Sequence, residues 1–395
     1  MVSRADSKPF PSRSAANAAL QVTPLTDRER EVLSWVRDYG PITRSALIRV
    51  SGLSGPAVFR ATEDLTAKGY LLIGAPIAAG RGQPSHQVQI NPDAAYSLGL
   101  SIMTDFAEAA IMDITGKVRA TANITAPGML RKDILAKAAT FLAEQEACGL
   151  KRSSFAGVGV ALAAFFVDER LLNPAAELDD WALIDLQGPV EAALGLPAVI
   201  ENSASAAAVG ESLLGVGRHT PSFAYLNFSA GFGGGIILDR RLWRGITGNA
   251  GEFAAVLNAV GAFVPKLEGL RQRVAAQGNP TTSIDDLVAR LSPDWPGVSD
   301  WIADAAVSVK LLARIISETI DVGSIVLGGR LPQPLAQLLA EAAAINQSEL
   351  DHLQRRSRGR PAPRIVPAEA SAGAAAIGAA ALPLATRIFS SPVAH

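Results

Sequence analysis

Cysteine is almost missing from this chain of 395 residues: Cys148 stands alone. A lone thiol excludes an intramolecular disulfide and any metal site built on several cysteines. Charge is sparse as well. Asp, Glu, Lys and Arg make up 18% of the residues against 49% hydrophobic ones, which is ample for a buried core and too little charge for a disordered chain. Long apolar runs are lacking too. Met1 to Leu20 holds no apolar stretch of the kind a signal peptide uses. The Ala/Gly run from Ala370 to Ala385 is only mildly apolar and is broken by Ser371 and Pro383, so it reads as a packed helix and not as a membrane span. A cytoplasmic protein without membrane contact is the expectation. Residues 1–24, rich in Ser, Ala, Arg and Pro, read as a disordered tail, and a chain of this length suggests two or three domains.

What is present begins with a helix-turn-helix pattern. A first helix fits Asp27 to Asp38, with Thr26 as N-cap and Val32, Leu33 and Val36 on one face. Gly40-Pro41 ends it. A second helix runs from about Arg44 to Val50 and buries Ala46, Leu47 and Val50. In the turn Ser51-Gly52-Leu53-Ser54, Gly52 suits a positive φ and Leu53 plugs the core. Ser54 or Gly55 caps a third helix, whose first turn tolerates Pro56. Its inward stripe is Val58, Ala61 and Leu65, which leaves Ala57, Phe59 and Arg60 towards the outside. The N-terminal residues of such a helix face base edges in the major groove.

Two alternating segments follow, Tyr70–Gly74 and His86–Ile90, around Gly80-Arg-Gly-Gln-Pro84. They read as the strands of a wing whose tip offers Arg81 and Gln83 to a phosphate or a minor groove. Arg44, Ser54, Ala57, Phe59, Arg60, Arg81 and Gln83 are therefore the candidate DNA contacts. Phe59 has two readings, contact with thymine methyl groups or packing into its own module. The alternative for the whole module is docking onto protein. Residues 1–90 carry 11 Lys/Arg against 7 Asp/Glu in a chain of net charge −1. That is a weak excess for binding many phosphates, so two modules on paired half-sites are expected.

From Tyr96 onward strands alternate with helices: Tyr96–Ile102, Glu108–Asp113, Lys117–Thr121, Phe155–Ala161, Ala198–Ile200, Phe223–Asn227, Gly235–Leu238 and Ile325–Leu327 as strands. Helices fit Leu130–Cys148, Ala204–Leu214, Trp301–Ile320 and Gln333–Leu350. This is a mixed α/β domain of two lobes with a cleft. The basic segment His352 to Arg364 reads as a solvated loop, with contact to DNA or a partner as the other possibility.

Within that domain stand Glu201-Asn202-Ser203, Ser229-Ala-Gly231-Phe-Gly233-Gly234-Gly235 and Gly248-Asn249-Ala250-Gly251-Glu252-Phe253. Asn173-Pro174 ahead of Asp180-Trp181 and Ile325-Val-Leu-Gly328-Gly329 complete the order. The series resembles the ROK family of repressors and sugar kinases over about residues 25–385. The resemblance implies an actin-like (ribonuclease H-like) sugar-kinase fold behind the winged helix. It implies sugar in the cleft and ATP between glycine-rich loops. The implied organisation is a winged helix at 25–90, a smaller lobe at 91–201 with 370–392, and a larger lobe at 202–369.

The departures from that pattern matter more. The resemblance implies an Asn-Asp pair whose Asp takes the proton from the sugar hydroxyl, and here the pair is Asn202-Ser203. A serine cannot act as a base near neutral pH without an activating partner, and the only nearby acid in sequence is Glu201. The first phosphate loop, Asp-x-Gly-Gly-Thr in the family, is Ser101-Ile-Met-Thr-Asp105. It lacks the glycines that let backbone approach a phosphate and the Asp that would hold magnesium. Phosphoryl transfer needs positioning and charge neutralisation together. The family's zinc-binding His falls on Ala255, and no cysteine follows, so that zinc site is excluded by ligand count. Gly231 to Gly235 suit either a phosphate or a tight turn between strands.

The expectation is a ROK-type regulator, a repressor without enzymatic activity, cofactor or metal. Its partners are a double-stranded DNA operator and a sugar or polyol held by Asn202, Ser203 and Glu252, and it acts as a homodimer or homotetramer. The alternatives are a divergent sugar kinase using ATP, or a repressor that answers to no ligand.

Overall fold

The computed structural model describes residues 23–77, 85–345, 361–370 and 373–389. The first module opens with α1 (Asp27–Tyr39), whose Thr26 and Glu29 form a reciprocal capping box. β1 (Ile42–Thr43) leads into α2 (Arg44–Ser51), which ends at Gly52 in the left-handed region, φ 68°. α3 (Gly55–Ala67) follows, then the strands β2 (Leu71–Ile77) and β3 (Ser85–Ile90). Val32, Leu33, Val36, Leu47, Val58, Ala61 and Leu65 fill the core between the helices. Glu29 is held 2.6 Å from Lys68 at the end of α3. Burial pushes the Glu29 carboxyl up, but its bonds to Lys68 and Thr26 outweigh that and hold it below the ordinary carboxylate value. β1 pairs with β3 through Ile42↔Val88 and Thr43↔Gln87. The wing is thus hydrogen-bonded to the start of α2, a contact that two residues of strand leave invisible in sequence.

A five-stranded sheet comes next. β4 (Tyr96–Ile102), β5 (Ala107–Asp113) and β6 (Val118–Asn123) form an antiparallel meander. α4 (Arg131–Ala147) returns the chain to β7 (Phe155–Leu162), parallel to β4. A small hairpin, β8 (Ala164–Phe166) and β9 (Leu172–Pro174), and α5 (Gln187–Leu194) precede β10 (Ala198–Asn202), parallel to β7. The strand order is β10-β7-β4-β5-β6.

α6 (Ser203–Leu214) then crosses to a second sheet that repeats the plan. β11 (Phe223–Phe228), β12 (Phe232–Leu238) and β13 (Arg241–Trp243) are its meander. Four helices fill the next stretch: α7 (Phe253–Ala259), α8 (Leu267–Ala276), α9 (Ile284–Arg290) and α10 (Val298–Thr319). β14 (Ser324–Gly329), α11 (Gln333–Ala342) and β15 (Arg364–Pro367) supply the two parallel strands, and the order is β13-β12-β11-β14-β15. Each sheet is a three-strand meander extended by two parallel strands, so the domain is a structural duplication.

Two sequence expectations are corrected here. The helix expected over Gln333–Leu350 stops at Ala342. Its end tightens, Ala344 N–H bonding Glu341 O, with Ala343 buried, and no glycine or proline in the alanine run announces it. The stretch between Glu252 and Trp301, left without elements in the sequence reading, holds α7, α8 and α9. Their cores are Leu257, Leu267, Leu270, Val274 and Leu287, too dispersed to show a helical stripe. Most of the basic segment, residues 352–360, lies outside the described residues.

The last element among the described residues is α12 (Ala374–Arg387), which is the alanine run. No helix among the described residues is long and apolar enough to cross a membrane. α12 packs on β4, β5, β7 and α6. Its neighbours approach by backbone. A Cβ on Gly99 would lie 1.9 Å from Ala376 O, and one on Gly159 1.8 Å from Ala379 O. On the other side, a Cβ on Gly210 would lie 2.2 Å from Ala374 O, and one on Gly378 1.7 Å from Ala206 O. Ser97 Oγ donates to Ala380 O in the same seam.

Backbone has nowhere to retreat, so Gly378→Ala should destabilise the full chain by about 1–3 kcal/mol or prevent folding. Gly188→Ala, where a Cβ would meet nothing within 4 Å, should leave the midpoint of a urea or thermal unfolding curve near that of the parent.

Candidate functional site

On the first module, Ser54 sits at the N-cap of α3 with extended backbone and no side-chain capping bond. Its hydroxyl is therefore open to an anion, while Pro56 lacks an N–H and Ala57 N–H donates to Ser54 O. Ser54, Phe59 and Arg60 are exposed, and Ala57 is half-buried. Phe59 is 55% exposed and stands outside the module's buried core. Arg44 lies over its ring, 4.9 Å from the centroid, and pairs with Glu63. Arg44, one of the candidate DNA contacts, is thus engaged within the module. Arg81 and Gln83 lie outside the described residues.

In the larger domain, Asn202 ends β10 and caps α6. Its Oδ1 accepts from Ala204 N at 2.7 Å and Ser205 N at 3.2 Å, and its Nδ2 donates to Ala164 O on β8. The carboxamide is largely engaged by backbone, a role the sequence reading had left to a ligand. Ser203, buried at the start of α6, makes no side-chain hydrogen bond among the described residues. Glu201 does not supply it with a base. One Glu201 oxygen accepts Asn202 N–H at 2.8 Å and the other lies 2.8 Å from Arg244. Burial pushes the Glu201 carboxyl up, against the pull of Arg244 and that N–H.

Glu252 differs. It is half-buried at the head of α7 and makes no capping bond, no ion pair and no side-chain hydrogen bond among the described residues. Burial pushes its carboxyl above the ordinary value. Its segment is tied to that of Asn202 through β8: Asn249 Oδ1 accepts Phe166 N–H and Asn249 Nδ2 donates to Phe166 O, both at 2.8 Å. Asn202 and the Gly248–Glu252 turn thus hold one short strand between them, and Arg244 with Glu201 adds a second link. Sequence reasoning quoted Asn249 within a motif without giving it a role, and it missed Arg244; an arginine in an apolar-to-glycine stretch, Trp243-Arg244-Gly245, was the available signal.

Two of the glycines of β12, Gly234 and Gly235, are explained by packing. A Cβ on Gly234 would lie 2.4 Å from the Phe253 ring, and one on Gly235 2.8 Å from Ala208 Cβ. Successive strand residues face opposite ways, so these two glycines admit α7 on one face and α6 on the other. Gly251, at φ 100°, crosses against Gly234 O. In the loop after β4, Asp105 is bound by Arg330 at 2.6 Å, and Arg330 also reaches Asp285 at 2.9 Å. Ser101 is a buried strand residue. This loop presents an ion pair where a phosphate cradle needs free backbone N–H groups, and it does not fit a nucleotide–magnesium group. The donor set likewise does not fit the zinc: among the described residues no group of three His, Cys, Asp or Glu could hold a metal. A separate cavity of about 530 Å³ opens beside the linker, lined by Asp93, Tyr96, Arg119 and Cys148, and none of the expected ligand residues reaches it.

Removing the cap by Asn202→Ala should lower stability by about 0.5–2 kcal/mol, whereas Asn202→Asp, which keeps an acceptor, should lose less; thermal melts compare the two. Glu252 carries the opposite sign. A carboxyl raised in the folded state is tolerated below its unfolded value and costs stability as pH rises through the folded one. Glu252→Gln should therefore raise the melting temperature at about pH 7.5 and leave it unchanged at about pH 4.

Comparison with known proteins adds the following. Residues 97–258 match the model of the ROK family. The chain is similar to the xylose repressor of Bacillus subtilis (strain 168), 25% identical over 230 residues, and spans 58% of that protein and 57% of its own length. It is also similar to the glucokinase of Streptomyces coelicolor, 38% identical over 99 residues that cover 25% of this chain and 31% of that one. Among solved structures it shares the fold of a ROK family transcriptional regulator, a homolog of the E. coli MLC protein, with a TM-score of 0.66 at 20% identity. That match covers 90% of this chain and 96% of the other.

Proposed function

From the match of residues 97–258 to the ROK-family model, we propose that this protein is a DNA-binding transcription regulator of that family, acting as a repressor, whose two-lobed domain takes a sugar or related polyol without phosphorylating it. One combination carries the reading. α3 presents Ser54, Phe59 and Arg60 outward from a winged helix, while the cleft places Ser203 beside Asn202 with its nearest acid, Glu201, bound elsewhere. The name of the Bacillus relative supports the regulatory half of the reading, and that of the Streptomyces relative gives the competing one, a sugar kinase.

Within the proposal the winged helix occupies 25–90, the smaller lobe 91–201 with 370–392, and the larger lobe 202–369. Glu252 and the remaining Nδ2 hydrogen of Asn202 meet ligand hydroxyls, and Ser203 adds a neutral donor. A site built of such groups rejects ligands that leave them unpaired. The ligand acts only by binding two arrangements of the lobes unequally, which shifts their populations and the spacing of paired DNA-binding modules. Pairing, as a homodimer or homotetramer, follows from the small positive excess of one module and from the geometry of half-sites. Arg81 and Gln83 extend the DNA contact through the wing.

The test is capture of genomic fragments on the purified full-length protein, followed by sequencing. Discrete sites with paired half-sites are expected, and Arg60→Ala should weaken binding to them by about tenfold, the effect of losing roughly 1–3 kcal/mol of contact. No enrichment above salt-sensitive background by a folded protein, together with sugar-dependent release of ADP, would establish the kinase instead.

A further inference from the structure

In a helix-turn-helix the first helix of the pair crosses the DNA backbone while the second lies in the groove. Arg44 is the first residue of α2 and so belongs where a phosphate would pass. Its guanidinium is already occupied. Nη2 is paired with Glu63 of α3, the ring of Phe59 lies 4.9 Å beneath, and 17% of the side chain is exposed. Its Nε is buried without an acceptor. Phe59 and Glu63 are four residues apart, one above the other on the same face of α3. Glu63 remains 48% exposed. Arg60, between them in sequence, makes no ion pair or hydrogen bond among the described residues and is free to meet DNA.

We propose that Glu63 is a specificity-determining residue that competes with DNA phosphate for Arg44. Its carboxylate satisfies the guanidinium as a phosphate oxygen would, and the aromatic ring of Phe59 keeps the guanidinium in place. On arbitrary sequence the pair stays closed and adds no net positive charge to the interface. Sequence-independent binding is held down because it depends on the number of phosphates neutralised. On a matching site the base contacts of α3 reposition this face, and Arg44 is released to the backbone. The inference rests on the DNA-binding reading and adds a partner for discrimination within it.

The experiment measures binding of the full-length protein to a random-sequence duplex of about 30 base pairs by fluorescence anisotropy, across a salt series. Glu63→Gln should steepen the slope of log affinity against log salt by about 0.9, the equivalent of one more phosphate. Affinity at the lowest salt should rise by roughly tenfold. Glu63→Ala should do the same and serves as the second variant. Glu31→Gln makes the same change of net charge on α1, where Glu31 pairs with Arg28, and should leave the slope as it was. An unchanged slope in both Glu63 variants, or an equal steepening by Glu31→Gln, would overturn the inference while leaving the regulator intact. Absence of any salt-dependent binding by the unaltered protein would instead sink the DNA-binding reading itself.

Discussion

The arrangement of this molecule depends on one contact, the seam in which α12 lies against β4, β7 and α6 with carbonyl oxygens facing glycines. Four positions, Gly99, Gly159, Gly210 and Gly378, have no room for a Cβ. Dispersion attraction falls steeply with separation, so bringing backbones this close gives alanine and glycine a packing density that larger side chains supply elsewhere. The far end of the same helix reaches the N-terminal winged-helix module. Leu384, Ile388 and Phe389 share a buried cluster with Val32, Leu33 and Val36 of α1, and Arg37 lies 4.3 Å over the Phe389 ring. The winged helix is seated on the larger domain as well as joined to it.

Polar groups in the cleft divide into those engaged by the fold and those left over. Asn202 and Asn249 are engaged, both holding β8, and Glu201 is bound by Arg244. Glu252 is left over, and its burial without a partner disfavours the charge it would carry in water. The Asp105–Arg330 pair links the loop after β4 to the end of β14. A site evolved to pass a phosphoryl group concentrates charge and free N–H groups at one point. Here Asp105 and Glu201 are paired with arginines, and Gly234 and Gly235 serve packing.

Much of the fold was legible in sequence because its signals were local. The capping box at Thr26 and Glu29, the left-handed Gly52 and the alternation over Tyr96–Ile102 are decided within a few residues, and α1, α2, α3 and β4 appear where those signals put them. The duplicated sheet order was not legible, since strand neighbours such as β4 and β7 are far apart in sequence. Nor was β1, whose two residues pair only because the wing returns to them. For the candidate site, motif spacing pointed to Asn202 and Glu252 and to the loss of a base at Ser203. It was silent on which of those side chains the backbone had already claimed. The partners of Arg44, Asp105 and Glu201 are 19, 225 and 43 residues distant, and no periodicity carries that information.

A joint made of alanine and glycine also has a mechanical character. Ordinary cores yield to small displacements by letting side chains change rotamer, and the strain dies away within a layer or two. Alanine has no rotamers to change. Between α12 and its neighbours, a shift has no soft element to be absorbed in. It is passed on undiminished or refused, and the first sheet and α6 can slide on that helix only as whole bodies.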